Sequence, residues 1–345
     1  MSRRFIMVAA VALLLADRGL AISESNYDHD YTNAVLPFLE SGRRFTFRSA
    51  DGRLDLSGIR FEHPREKGLI VVVNGRTESW LKYGEFFHDL YGKGYSIISY
   101  DHRGQGLSQR LGKGNPQIGN LDDFNQYARD LDSLIKKHAT PGGSINGERK
   151  VYLIAHSMGG AVASLYLERY APRSPSPFKA VVLSAPMYGI NTDPYPSPLT
   201  HGIVRLFQAL GLGRHYAPGE HDRDSNEAFA TNSVTGSRVR WQAMNRTWQD
   251  HPEAVVAGAS NDWVSKALDA APSIRKQAGN IRNRTMILEA GKDRLVLNSS
   301  MEEAARLIGN CRLVVFPESK HEIFMESDPI RDKALSGILR FFRQK

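Results

Sequence analysis

The stretch YLIAHSMGGAVASLYLERY, residues 152–170, decides the fold. It opens with a run of strand-forming residues that ends at His156, and this run is typical of a strand buried on both faces of a sheet. Ser157 follows directly, and from Met158 onward the spacing of apolar residues is helical. The segment therefore predicts a strand, a sharp turn at a serine, and a helix.

Strand-like and helix-like segments alternate on both sides of this turn. An alternating pattern around Asp51-Gly52 predicts a β-hairpin. Further strands are predicted from apolar runs at residues 68–75, 95–101, 150–157, 178–186, 284–293 and 311–319. Helices are predicted at residues 78–94, 121–138, 158–170, 299–309 and 328–344. This alternation predicts an α/β fold with a mostly parallel central sheet flanked by helices.

The alternation lapses between residues 187 and 275, which contain Pro-rich loops and helical pieces but no convincing buried strand. We therefore predict a core formed by residues 40–186 and 276–345. Residues 187–275 are predicted to be a helical lid, inserted after the sixth strand. Such a lid would cover the carboxyl ends of the strands, where ligands of open α/β sheets bind.

The N-terminus predicts export. Arg3 and Arg4 precede an apolar run over residues 5–16, as in a secretory signal, and small residues allow cleavage after Ala21. Residues 1–21 are thus expected to be a signal peptide or a retained N-terminal anchor, which implies a periplasmic or membrane-associated protein. A plain N-terminal helix is the alternative.

The formal net charge of +8 is compatible with a nucleic acid or an anionic membrane surface as partner. The basic residues are scattered and no nucleic-acid-reading motif is present, so we expect no nucleic acid and only peripheral membrane contact. The single cysteine, Cys311, excludes an intramolecular disulfide framework.

A serine at a strand-to-helix turn is either a helix cap or an exposed nucleophile. A nucleophilic serine needs a histidine base and an acid that orients it, in the chain order Ser, Asp or Glu, His for this kind of sheet. Asp293 and His321 follow the last two predicted strands in that order. We predict the catalytic triad Ser157, Asp293 and His321; the alternatives are a turn aspartate and a surface histidine.

The charged intermediate of such a reaction needs backbone N–H donors. The predicted donors are Met158, directly after the nucleophile, and Arg76, in the loop after the strand at residues 68–75. The alternative for this loop is a plain connection in which Thr77 caps the next helix.

Metal and phosphate motifs are incomplete. HEIFM at residues 321–325 begins like a zinc-protease helix, but Met325 stands where the second histidine is required. No GxxxxGK motif follows a strand. We predict no metal and no cofactor.

Four stretches resemble the bacterial lysophospholipases related to monoacylglycerol lipases, within the α/β-hydrolase superfamily. They are residues 71–110, AHSMGG at 155–160, AGKDRLV at 290–296 and SKHEIF at 319–324. The resemblance implies the α/β-hydrolase fold, the same triad, and Arg76 and Met158 as oxyanion donors. Two departures are Asn74 where many relatives have histidine, and Ala155 where they have glycine; neither removes a catalytic group.

The function implied is a serine carboxyl-ester hydrolase that releases a fatty acid from a single-chain glycerolipid through an acyl-enzyme on Ser157. A lysophospholipase is the first expectation, with a lysophospholipid or monoacylglycerol as the lipid substrate. A monoacylglycerol lipase or an acyltransferase would use the same triad, and a catalytically silent lipid-binding protein is the non-enzyme alternative.

The predicted lid offers two further features. Its amphipathic segment at residues 199–213 is suited to line an acyl channel, to touch a bilayer, or simply to pack on the core. Five lid arginines are candidates to meet a lipid phosphate: Arg214, Arg223, Arg238, Arg240 and Arg246. A solvated surface is the alternative for them.

Overall fold

The computed structural model describes residues 21–111, 114–140, 149–171, 176–224 and 227–344. The predicted N-terminal signal, apart from its last residue, lies outside these ranges. Within the described ranges, none of the helices is both long enough and apolar enough to cross a bilayer.

One eight-stranded sheet forms the centre, with strand order β1-β2-β4-β3-β5-β6-β7-β8. The β1–β2 and β2–β4 pairs are antiparallel, whereas the remaining five neighbouring pairs are parallel. The strands are β1 (Arg43–Arg48), β2 (Asp55–Phe61), β3 (Leu69–Val73), β4 (Ser96–Tyr100), β5 (Val151–His156), β6 (Ala180–Ser184), β7 (Thr285–Ala290) and β8 (Cys311–Phe316). The eight predicted strands and the mostly parallel sheet are confirmed.

Helices cover both faces of this sheet. The α-helices are α1 (Tyr27–Asp30), α2 (Leu36–Ser41), α3 (Gly84–Gly92), α4 (Asn125–Leu134), α5 (Met158–Arg169), α6 (Ser197–Ala209), α7 (Arg238–Asp250), α8 (Asn261–Gln277), α9 (Asn298–Leu307) and α10 (Asp328–Arg343). A π-helix, Tyr31–Val35, joins α1 to α2, and a second one, Ile135–Ala139, extends α4.

The alternation of side chains along β3 shows how the two faces are divided. Val71 and Val73 lie in a core cluster with residues of α4, α5, α8 and α9. Ile70 and Val72 lie in a second cluster with residues of α3 and α10. All five β3 residues are buried, because helices cover the strand on both sides.

The helix predicted at residues 78–94 is divided in two. A 3₁₀-helix, Trp80–Tyr83, precedes α3, and its N-cap is Ser79, whose hydroxyl accepts the Leu81 N–H. Thr77, the cap in the alternative interpretation of this loop, instead has a positive φ of 59° and donates its hydroxyl to the Arg76 carbonyl. The sequence suggested Thr77 because threonine is a common N-cap, and it does not reveal that Arg76 and Thr77 form a turn before the helix begins.

Residues 185–284 separate β6 from β7 and are called the insertion below. They contain α6, α7 and α8. The predicted boundary between lid and core at residue 275 falls inside α8, and Trp263, Ala267 and Ile274 of this helix lie in the core cluster.

Candidate active site

Ser157 lies at the turn between β5 and α5, with φ 53° and ψ −122°. A positive φ is unusual for a residue that carries a Cβ, and such strain is concentrated at functional sites. The turn requires close backbone contact, since a Cβ on Gly159 would lie 2.3 Å from the Asn74 carbonyl oxygen. Only glycine allows α5 to start this close to the end of β3.

The Ser157 hydroxyl does not cap α5, although the residue occupies the N-cap position. Its Oγ lies 2.8 Å from His321 Nε2. The other ring nitrogen, His321 Nδ1, lies 2.6 Å from Asp293 Oδ2. Three side chains from the ends of β5, β7 and β8 thus form one chain of hydrogen bonds.

The surroundings of this chain suit proton transfer. His321 is only 3% exposed, so the alternative of a surface histidine does not fit. Asp293 also accepts the Leu295 and Val296 N–H groups through Oδ1, so it stabilises its own turn as well as holding His321. Burial raises the pKa of Asp293, but the bond to His321, the charge of His321 and the Leu295 and Val296 N–H groups together lower the pKa overall. An ionised Asp293 can orient the imidazole and stabilise its positive charge.

The predicted oxyanion donors are available. Among the described residues, the N–H groups of Arg76 and Met158 have no hydrogen-bond acceptor. The loop that carries Arg76 lies beside the serine, because a Cβ on Gly75 would be 3.1 Å from Ser157 Cβ. The neighbouring Gly75 N–H is already bonded to Glu78, which leaves the Arg76 N–H as the free donor of this loop.

A second loop, residues 101–108, supports the Arg76 loop. Asp101 accepts hydrogen bonds from the side chains of Asn74 and Ser79 and from the Trp80 N–H. Gln105 donates to the Gly75 carbonyl and accepts from the Thr77 N–H. No role was predicted for Asp101 or Gln105 from the sequence, although both lie within residues 71–110, which carry part of the resemblance.

Lys82 lies in a buried charged cluster behind the triad. Its Nζ bonds to Glu78 Oε1 and, at 2.7 Å, to Glu322 Oε1. Burial would raise the pKa of Glu78, but Lys82 lowers it to about 2, whereas burial leaves the pKa of Glu322 raised. The difference follows from Glu78 having further donors, the Gly75 N–H and the Tyr83 hydroxyl. One ammonium therefore links the Arg76 loop to the loop of His321.

The same cluster holds the arrangement closest to a metal site among the described residues. Glu78, His156 and Glu322 place ligand atoms within 4.8 Å of one another. The Lys82 ammonium already binds both carboxylates, and burial lowers the pKa of His156 to about 3. The zinc-protease pattern does not form an α-helix here, since Ile323–Met325 is a 3₁₀-helix of one turn.

A cavity of about 560 Å³ opens above Ser157 and His321. Its walls include apolar side chains of the insertion, among them Ile203, Val204 and Val264. A volume of this size, with apolar walls and a few polar groups, is typical of a small-molecule site. The chemistry supported by the geometry is nucleophilic attack by Ser157 on a carbonyl of a largely apolar substrate.

The five arginines that were candidates to meet a lipid phosphate do not line this cavity. Arg240 is fully buried and binds Glu85 and Asp328, so its role is structural. The others have partners elsewhere. Arg214 and Arg246 form ion pairs with Asp122 and Asp28, Arg223 donates a hydrogen bond to Asn245, and Arg238 stacks over the Phe229 ring. The suggestion that they meet a lipid phosphate is not supported by this arrangement.

A family model described as serine aminopeptidase S33 matches residues 64–328. The chain is 32% identical over 322 residues to a probable lysophospholipase L2 of Haemophilus influenzae, covering 91% of this chain and 97% of that protein. It is 33% identical over 294 residues to lysophospholipase L2 of Escherichia coli, covering 83% of each.

Solved structures agree on the fold. A soluble variant of monoglyceride lipase from Saccharomyces cerevisiae, in complex with a substrate analog, superposes with a TM-score of 0.65 at 15% identity, covering 87% of this chain and 94% of that one. The monoacylglycerol lipase of Paleococcus ferrophilus gives a TM-score of 0.62 at 19% identity, covering 83% and 98%.

Proposed function

Because the chain belongs to the serine aminopeptidase S33 family of α/β-hydrolases, we propose that it is a serine ester hydrolase acting on single-chain glycerolipids, and specifically a lysophospholipase. The observation that carries the proposal is the hydrogen-bonded chain Ser157–His321–Asp293 at the base of a largely apolar cavity. The likeness to lysophospholipase L2 proteins over most of both chains supports the choice of substrate.

In the proposed mechanism, His321 Nε2 takes the proton of the Ser157 hydroxyl as its oxygen attacks the ester carbonyl. Asp293 holds the imidazole through Nδ1 and stabilises the imidazolium. The oxyanion accepts the N–H groups of Met158 and Arg76. The imidazolium then gives its proton to the departing glycerol oxygen, and water activated by His321 releases the fatty acid from the acyl-enzyme.

The test is fatty-acid release from lysophosphatidylcholine, lysophosphatidylethanolamine and monoacylglycerol with the same acyl chain. Ser157→Ala should lower turnover by about four or more orders of magnitude. Ser336→Ala is a matched control, because Ser336 is exposed on α10 and does not line the cavity. Wild-type turnover in Ser157→Ala would refute the mechanism.

The alternatives give different results in the same assay. Faster release from monoacylglycerol than from both lysophospholipids would favour a monoacylglycerol lipase, and an acylated acceptor among the products would favour an acyltransferase. Failure of a fluorophosphonate probe to label Ser157 in the folded protein would favour the silent lipid-binding protein.

We also propose that the cavity is entered from a membrane surface. Leu199, Ile203, Leu206 and Leu210 lie three or four residues apart and so share one side of α6 and its end. Ile203 lines the cavity, whereas Leu206 and Leu210 are 59% and 65% exposed. Apolar side chains that continue from a cavity to an exposed surface suit a lipid bilayer.

Flotation with vesicles of neutral or anionic lipid tests this contact. The double variant Leu206→Ser, Leu210→Ser should float less than wild type. Leu307→Ser, an exposed leucine on α9, is the matched control and should float normally. Equal flotation of all three proteins would refute the contact.

Export is proposed from the N-terminal sequence alone. Cell fractionation of the full chain should place it in the periplasm or with membranes. N-terminal sequencing would then distinguish cleavage after Ala21 from a retained anchor, and a cytosolic protein with an intact N-terminus would refute export.

A further inference from the structure

The cavity contains one pair of opposite charges that the mechanism does not use. Arg76 and Glu220 both line it, and Arg76 Nη2 lies 3.8 Å from Glu220 Oε2. Of the described residues that line the cavity, Arg76 is the only arginine or lysine. An anionic group that enters the cavity therefore has this guanidinium as its cationic partner.

The Arg76 guanidinium is fixed in position, but not all of its N–H donors have a hydrogen-bond partner. Its Nη2 donates to the Ala257 carbonyl at 2.7 Å, and its carbon lies 4.7 Å from the centre of the Trp263 ring. Its buried Nε has no hydrogen-bond partner among the described residues. A held guanidinium with unused donors is suited to bind phosphate oxygens, which it contacts through two parallel bonds.

Glu220 provides the complementary charge. Its Oε2 accepts the Ala259 N–H at 2.6 Å, which fixes the carboxylate. Its side chain is still 38% exposed, so the carboxylate is accessible to a ligand. A carboxylate held beside a guanidinium in this way can bind an ammonium group next to the phosphate.

The other acidic groups near the reaction centre are less suited to this role. Glu78 and Glu322 share the buried Lys82 ammonium. Asp293 is bonded to His321. Asp193 also lines the cavity, but among the described residues it forms no ion pair with an arginine or lysine. Arg76 and Glu220 are therefore the paired cation and anion that are both placed to meet a substrate.

We propose that Arg76 and Glu220 form the headgroup site of the cavity. The guanidinium binds the phosphate of a lysophospholipid, and the carboxylate binds the ammonium of its choline or ethanolamine group. The inference rests on the proposed function and deepens it by naming a zwitterionic phosphoamine headgroup. The backbone of Arg76 carries an oxyanion donor, so the headgroup and the ester carbonyl would be held by the same residue.

The test compares three substrates with one acyl chain, presented in the same detergent micelles. Lysophosphatidylethanolamine carries phosphate and ammonium, lysophosphatidylglycerol carries phosphate alone, and monoacylglycerol carries neither. The readouts are ratios of kcat/KM between substrates, because a general loss of activity cancels in a ratio. Arg223→Met and Glu253→Gln are the matched controls, since neither residue lines the cavity.

Glu220→Gln should lower the ratio of lysophosphatidylethanolamine to lysophosphatidylglycerol by about tenfold, the value of one hydrogen bond to a charged group. Arg76→Met should lower the ratio of lysophosphatidylglycerol to monoacylglycerol by about tenfold or more, since it removes two such bonds. Both control variants should keep the wild-type ratios.

Equal losses on all three substrates would show that the pair only holds the Arg76 loop to the insertion, and would overturn the inference. A wild-type protein that prefers monoacylglycerol would overturn it as well, while leaving the triad in place. If wild type releases no fatty acid from any of the three but hydrolyses a short-chain ester through Ser157, the proposed lipid substrate itself is wrong.

Discussion

Replacing Lys82 by methionine measures how much the charged cluster behind the triad contributes to the stability of the fold. Lys82 is only 7% exposed, and its ammonium group bonds to two buried carboxylates. Methionine fills a similar volume but leaves Glu78 and Glu322 without a cation. Removing one partner of a buried ion pair costs about 3–5 kcal/mol, because the remaining charge is desolvated and unpaired.

The loss should depend on pH. Lys82 lowers the pKa of Glu78 to about 2, so in wild type this carboxylate contributes stability above its ordinary pKa of 4.5 that is lost as the pH falls toward 2. Without Lys82, burial raises the pKa values of both carboxyl groups, and the Gly75 N–H and the Tyr83 hydroxyl still oppose this at Glu78. The variant should therefore be least stable at pH 8 and should approach wild type near pH 5, where the carboxyl groups can bind protons.

The assay is denaturant unfolding, followed by circular dichroism at pH 5 and pH 8. Lys136→Met is the matched control, since Lys136 forms an ion pair with Asp132 but its side chain is 61% exposed. Such a pair contributes about 0.5 kcal/mol or less. If Lys82→Met and Lys136→Met lose the same free energy of unfolding at pH 8, the buried ion pairs of Lys82 stabilise the fold no more than an exposed pair does.

Three further predictions concern single residues. Burial raises the pKa of Glu168 to about 8, and neither of its carboxyl oxygens has a partner among the described residues. The folded state thus keeps a proton that the unfolded chain releases near pH 4.5, so wild-type stability should fall as the pH rises from 4.5 to 8. In Glu168→Gln, the free energy of unfolding should fall by about 2 kcal/mol or more less than in wild type over this pH range, as measured by denaturant unfolding. The same pH profile in both proteins would contradict the prediction. Gly159→Ala should lower kcat about a hundredfold by displacing α5 from the Asn74 carbonyl, whereas Gly337→Ala, where a Cβ meets open space, should not. Asp293→Asn should lower kcat by about four orders of magnitude with an unchanged circular dichroism spectrum, because the imidazole loses its orienting acid; a small loss would exclude this role.

The fold was largely predictable because its main signals are local. A continuous apolar run such as that of β3 needs no partner to be recognised, since the side-chain alternation of a strand and the 3.6-residue repeat of a helix are properties of one segment. The order Ser157, Asp293, His321 could be inferred for a related reason: each residue follows a predicted strand. Parallel strands bring their carboxyl ends to one edge of the sheet.

The sequence did not determine which distant charges meet. Lys82 and Glu322 are 240 positions apart, and no local sequence pattern at either residue indicates that the two will pair. For the same reason Arg240 was one of five candidates to meet a lipid phosphate or to lie on a solvated surface, whereas it is buried against Glu85 and Asp328. Local periodicity determined the strands, the helices and the candidate nucleophile. Only the tertiary structure decided the pairing of buried charges and the placement of Arg76 beside Glu220, because such pairing depends on which segments the folded chain brings within a few ångströms.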